Sequence, residues 1–183
     1  MDLRSEHIDI VIYVALKEEF DDVKKDMGKG FKPLEIPDVA ITCFLGQIHS
    51  DVLNYTFNVV MVPGGKMGNT RSSNIMSTIV DRYKPSDVVV LGIAGSLSND
   101  LQPGDVFIPD QVNEYLANSA AVGEKKWSFQ TSGNHFNTAP RLINRFQLIE
   151  STQKVAYDRW RRMVKKNRSR LIDDPIRQSL QAA

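Results

Sequence analysis

The chain has 183 residues, 42% of them hydrophobic and 25% charged, and its formal charge is +1. These values fit a soluble globular domain, or one domain with a tail, and leave enough chain to bury a core. No apolar run reaches the roughly 18 residues of a membrane span, and the first residues lack the basic-then-apolar order of a secretory signal, so no membrane partner and a cytoplasmic location are expected.

Residues 8–14 form a β-branched run and predict a first strand. Next, Leu16, Phe20, Val23 and Met27 recur at helical spacing up to Gly28, which predicts a helix with a glycine stop. Residues 39–45 and 55–62 predict two more strands, separated by residues 47–51. A glycine-rich connection over residues 63–68 leads to a helix over 69–83, where Ile75, Met76, Ile79 and Val80 share a face. Lys84 precedes Pro85 and is thereby pushed out of helical geometry.

The segment that organises the rest is 84–109. Val88, Val89, Val90 and Leu91 are continuously apolar, as in a parallel strand covered on both faces. The turn Gly92, Ile93, Ala94, Gly95 follows, and residues 103–109 predict another strand bounded by prolines. Residues 113–138 read as a long loop, and residues from Pro140 to about Arg170 as helical. Strands alternating with helices around apolar strands imply an α/β fold, a three-layer-type sandwich with a central mixed, largely parallel twisted sheet flanked by helices.

Ligands of open α/β sheets bind beyond the carboxyl ends of the strands. Three segments arrive at such ends: residues 15–19, residues 64–68 and residues 92–95. Glu18 and Glu19 fall in a first helical turn, where the helix dipole alone favours them. Alternatively, one of them faces a pocket and orients a water or a sugar hydroxyl. Cys43 is the only cysteine, which excludes an intrachain disulfide and a cysteine-based metal framework. It sits in an apolar run and reads as a buried thiol. His49 and His135 are isolated, no metal-ligand spacing is present, and no metal or cofactor is expected.

These residues resemble the nucleoside phosphorylase and nucleosidase superfamily, which includes methylthioadenosine/S-adenosylhomocysteine nucleosidases. The resemblance covers residues 8–112. By it, Glu19 corresponds to the carboxylate that positions the attacking water, and Leu16 to a hydrophobe beside the ligand. The family's Gly-Met/Ile-Gly element corresponds to Lys66, Met67 and Gly68. Its glycine turn corresponds to Gly92, Ile93, Ala94 and Gly95, and the Gly-Asp strand after it to residues 103–106. Ala94 and Gly95 would then lie along the nucleoside, while Ile93 stands where the family has serine or threonine.

Phosphorylases of the superfamily bind phosphate partly through arginines, and Lys17 and Val90 occupy those places here, so the resemblance implies water as the nucleophile. The family's ribose-binding Met-Glu pair and its Ser-Asp pair, whose aspartate protonates the leaving base, have no counterpart in the chain. The expectation is a purine nucleoside- or nucleotide-binding domain that hydrolyses an N-glycosidic bond when further chain or a partner completes the site. The alternative is a non-catalytic ligand-sensing or assembly subunit of a signalling or defence complex. A homo-oligomer or a partner chain is expected either way.

From Arg141 onward there are 11 Lys and Arg against 4 Asp and Glu, leaving 12 against 18 in residues 1–140. The expected organisation is an α/β domain over residues 1–138, incomplete relative to the family, and a basic helical segment over 139–183. Residues 134–146 resemble the middle of larger superfamily members fused to signalling or bacterial defence proteins. Trp160 and Met163 are expected to pack inward from a solvated basic helix. Nucleic acid is not an expected partner, because the body is acidic.

Overall fold

The structure is a computed structural model that describes residues 7–28, 30–36, 41–51, 53–65, 69–98, 100–101, 105–114, 120–122, 128–130 and 133–172. It forms two compact units, Met1–Gly95 and Ser96–Ala183.

The first unit is built on β1 (Ile10–Val14), β2 (Lys32–Glu35), β3 (Thr42–Ser50), β4 (Tyr55–Pro63) and β5 (Asp87–Leu91), with helices α1 (Lys17–Met27) and α2 (Asn69–Tyr83). The strands make one mixed sheet in the order β2-β3-β4-β1-β5. β1 runs parallel to both β4 and β5, while β3 is antiparallel to β2 and β4.

Alternation along the strands sends side chains into two cores. Val11, Tyr13, Val60, Val62, Leu34 and Cys43 face α2 and its Ile79. Ile12, Val14, Val59 and Met61 face the other way, onto Phe20 of α1 and Phe31. The sheet therefore lies between helices, as the run of strands and helices implied. Lys24 of α1 also lays its ammonium 3.8 Å from the centre of the Phe44 ring, a cation–π contact that uses its long stem as cover.

At the amino ends of the strands, buried Asp9 accepts hydrogen bonds from the Asn58 backbone N–H at 2.8 Å and the Tyr55 hydroxyl at 3.1 Å. Its bond from Tyr55 is the main cause holding the Tyr55 hydroxyl above its ordinary pKa, since the carboxylate favours the protonated phenol.

Several expectations change. β5 is the edge strand of this sheet rather than a strand covered on both faces: Val88 is 41% and Val90 72% exposed, while Val89 and Leu91 pack toward α1. Their continuous apolarity does not translate into burial because α2 lies over β1 and β4 and does not extend over this edge. β3 continues past Leu45 through Ser50, so most of the polar separator is strand. β2, which carries Lys32, Pro33 and Glu35, was not anticipated. α2 ends at Tyr83 as expected, and Lys84 has a φ of 43° just before Pro85.

In the second unit, residues 105–109 form no strand, and residues 102–104 lie outside the described residues. The segment read as a long loop instead carries two antiparallel pairs, β6 (Gln111–Asn113) with β9 (His135–Asn137), and β7 (Ala120–Val122) with β8 (Ser128–Gln130). The helical region is divided into α3 (Pro140–Gln147), α4 (Ile149–Thr152) and α5 (Lys154–Ile172). Trp160 and Met163 do not pack inward; both are exposed, with Trp160 against the Tyr157 ring at a centroid distance of 5.7 Å. Among the described residues no helix is long and apolar enough to cross a membrane.

Candidate active site

Because β1 lies between two strands parallel to it, the exits of β4, β1 and β5 stand side by side. Val14 is in register with Pro63 on one neighbour and Leu91 on the other. The three segments singled out in the sequence therefore leave the sheet at one end.

Only Ala15 and Leu16 separate β1 from α1. Leu16 is the N-cap, with extended dihedrals (φ −97°, ψ 148°), and its aliphatic side chain has no oxygen to offer the helix. Glu19, three residues on, reaches back so that Oε2 accepts the Leu16 backbone N–H at 3.4 Å. This is the half of a capping box that a leucine N-cap leaves available. The other oxygen, Oε1, accepts the backbone N–H of Ile93 at 2.9 Å. One carboxylate thus joins the β1 exit to the β5 turn. A carboxylate offers about four lone-pair sites, and two N–H groups use two of them. Among the described residues no other hydrogen bond reaches this half-buried carboxylate.

The two glutamates part company here. Glu18 is exposed on the first turn of α1, whereas Glu19 is half-buried and aimed across the strand ends. Lys17 points away into a 2.6 Å pair with Asp21, which raises the Lys17 pKa first through that hydrogen bond.

On the β4 side, the Gly64 N–H donates to the Val14 carbonyl at 2.7 Å. A Cβ on Gly64 would collide with the Tyr13 hydroxyl and lie 2.8 Å from the Ala15 carbonyl oxygen, so only glycine fits. Gly65 follows with a φ of 73°, a left-handed conformation that glycine adopts without a side-chain penalty. Lys66, Met67 and Gly68 lie outside the described residues, so the structure does not bear on the expected contribution of Met67 and Gly68.

On the β5 side, Gly92 is in ordinary contact with the Glu19 carboxylate, its virtual Cβ falling 3.5 Å from Oε2. Ile93 contributes its backbone N–H while its side chain is 87% exposed. Ala94 and Gly95 are exposed as well, and a Cβ on Gly95 would meet nothing within 4 Å. The structure therefore brings together Leu16, Glu19 and Ile93, and leaves Ala94 and Gly95 open at the edge of the group. Sequence reasoning missed the part played by backbone N–H groups and by Tyr13, whose hydroxyl lies 2.5 Å from the Ser72 Oγ. No motif marks a main-chain donor.

Other reactive side chains lie elsewhere. Cys43 is fully buried in β3, where burial pushes its thiol up to about 11. His49 sits 3.0 Å from the Thr56 hydroxyl, and His135 2.6 Å from the Asn113 side-chain oxygen, both on exposed strand surface. No group of three or more potential metal ligands occurs among the described residues.

The family model for the phosphorylase superfamily matches residues 9–164. A 5'-methylthioadenosine/S-adenosylhomocysteine nucleosidase of Buchnera aphidicola is 26% identical over 149 residues, which is 81% of this chain and 53% of that protein. The elongation factor 1-alpha of Saccharolobus solfataricus is 29% identical over 110 residues, 56% of this chain and 25% of the factor. The chain thus spans about half the length, or less, of these curated relatives. Among solved structures, a Helicobacter pylori 5'-methylthioadenosine/S-adenosyl homocysteine nucleosidase, complexed with a pyrrolo-pyrimidinyl pyrrolidinol, aligns with a TM-score of 0.57 at 20% identity, over 81% of this chain and 61% of that one. That likeness bears on the fold alone, whereas the family model spans both the three strand exits and most of the second unit: the chain belongs to the phosphorylase superfamily.

Proposed function

We propose that the chain is part of a cytoplasmic nucleosidase that binds a purine nucleoside or nucleotide and, with its site completed by further polypeptide, hydrolyses the N-glycosidic bond. The observation that carries this reading is Glu19, fixed by the Leu16 and Ile93 N–H groups at the shared end of three strands with acceptor capacity to spare. Fixing a carboxylate through two main-chain donors orients its free lone pairs without relying on a mobile side chain.

In the reaction a water oxygen bonds to the anomeric carbon of the sugar while the bond from that carbon to the base nitrogen breaks. The base departs with the electron pair, and the water gives up a proton toward Glu19. The departing base needs a proton of its own, a service that general acids supply at about 10²–10⁴-fold in rate. In this reading that proton comes from a second chain or further polypeptide. Ala94 and Gly95, which present no bulk, line the nucleoside, and by the family resemblance Met67 and Gly68 contribute to the same nucleoside site.

A second reading, a ligand-sensing or assembly subunit, is favoured by the 72% exposure of Val90 and the 87% exposure of Ile93 beside the site. One experiment separates the two. The purified chain, alone and with any co-encoded partner, is incubated with adenosine, methylthioadenosine and ATP while free base is monitored. The nucleosidase reading expects base release that Glu19→Gln lowers by about 10²-fold or more, the scale of general base catalysis, with nucleoside still bound. Binding without release under both conditions supports the sensing reading. Neither binding nor release would sink both.

A further inference from the structure

Tyr13 is the one phenol in a β1 stripe otherwise occupied by aliphatic side chains. It faces α2 among Val11, Val60, Val62 and Ile79 and is only 5% exposed. Its hydroxyl is satisfied by Ser72, in the first turns of α2, at 2.5 Å. The same hydroxyl fills the space that a side chain at Gly64 would need. Directly beside it, the Gly64 N–H closes onto the Val14 carbonyl. One oxygen therefore meets both the Gly64 turn and the start of α2, at the flank of the site opposite to the one where Ile93 meets Glu19.

We infer that Tyr13 is a positioning residue: its hydroxyl, bonded to Ser72, sets where the Gly64 turn and α2 stand relative to the β1 exit, and so shapes the ligand-binding flank of the site. It acts through Gly64 and Ser72 and touches neither water nor sugar. The inference rests on the nucleosidase reading for the identity of the ligand, but the tether itself does not. A hydroxyl lost from this pair leaves its partner part-buried without a mate. The penalty for that is comparable to a lost hydrogen bond, and it falls on the placement of the turn, because the aromatic ring still fills the core.

The test uses Tyr13→Phe, Ser72→Ala, the double variant, and Ser72→Thr, which keeps a hydroxyl. KM and kcat for methylthioadenosine are measured, or Kd by calorimetry where no base is released. Hydrogen exchange is followed at Gly64 and at residues 73–77. Tyr13→Phe and Ser72→Ala are each expected to raise KM or Kd about five- to tenfold, the scale of one hydrogen bond, with kcat within about twofold. The double variant should be no worse than the weaker single, because both remove the same bond. Ser72→Thr should restore the constant, and exchange should quicken at Gly64 and residues 73–77 but not across β1 and β4.

Unchanged constants, or exchange that quickens uniformly through the sheet, would overturn the inference. If the wild-type chain neither binds nor cleaves methylthioadenosine, the nucleosidase reading falls by itself. The exchange pattern alone then decides whether Tyr13 holds the turn.

Discussion

Cys43 lies in β3 and Glu19 on the first turn of α1, and their surroundings differ sharply. Cys43 in β3 is enclosed against Leu34 and the α2-facing core, with no exposed surface. Burial lifts its thiol from an ordinary 9.0 to about 11, because an anion would lose its hydration there. The folded chain thus binds this proton more tightly than the unfolded chain does. The resulting stability is complete below about pH 9 and is lost as the pH rises toward 11. At about 1.4 kcal/mol per pKa unit, the loss is at most roughly 2–3 kcal/mol. Denaturant melts between pH 8 and 11 should therefore fall more steeply for the wild type than for Cys43→Ala, whatever the offset between them. A thiol reagent at pH 8 should label Cys43 only on unfolding. Equal slopes, or rapid labelling of the native protein, would remove the argument. Cys43 was legible from sequence because an apolar flank is a local property. The placement of Glu19 was half legible: its position after a strand marked it, but the partners that hold it are main-chain groups with no signature of their own.

β3 shows where local reading of an element stopped short. Gly46, Gln47 and His49 look like strand-breaking punctuation, yet pairing with β4 continues to Ser50 opposite Tyr55. The glycine is there for packing. A Cβ at Gly46 would lie 2.6 Å from two carbons of the buried Phe31 ring, and Phe31 comes from the residues that precede β2. Only the tertiary fold brings that ring over the strand, so no sequence window around Gly46 could reveal it. Gly46→Ala should accordingly destabilise the first unit by about 1–3 kcal/mol, the usual cost of overpacking. Adding Phe31→Leu should recover part of that loss. Urea midpoints of the two single variants and the double variant test this, and strictly additive losses would mean that the ring is not the cause. β2 escaped notice for a related reason. Its Pro33 is tolerated because the strand lies at a sheet edge and pairs with β3 alone, where a missing N–H can face outward. The apolar run of β5 misled in the opposite direction, since a sequence pattern reports what a strand can bury and not what covers it. The convergence of the three strand exits was legible, because parallel strands joined by helices send their carboxyl ends to one side.

At the scale of the molecule, the division between the units coincides with a division in burial. Every buried residue among those described lies between Ile8 and Ile79, within the unit that ends at Gly95. The described residues of α3, α4 and the β6–β9 pair of the second unit include no core residue, and α5 exposes Val155, Trp160 and Met163. Backbone hydrogen bonds can hold a helix together, but a helix without tertiary burial opens at little cost in free energy. The charge asymmetry sharpens the contrast, because the basic residues are concentrated in these helices and repel one another. Amide exchange on the whole chain should therefore fall into two classes. Amides in β1, β3 and β4 should be protected up to the global unfolding free energy, and those in α3 and α5 should exchange at least about 10²-fold faster. Slow exchange in α5 equal to that of β1 would show that the second unit is anchored as firmly as the first. Protection that appears in α5 only when a co-encoded partner is added would identify these helices as the surface the partner covers. In that event base release should be measured on the complex as well as on the chain alone.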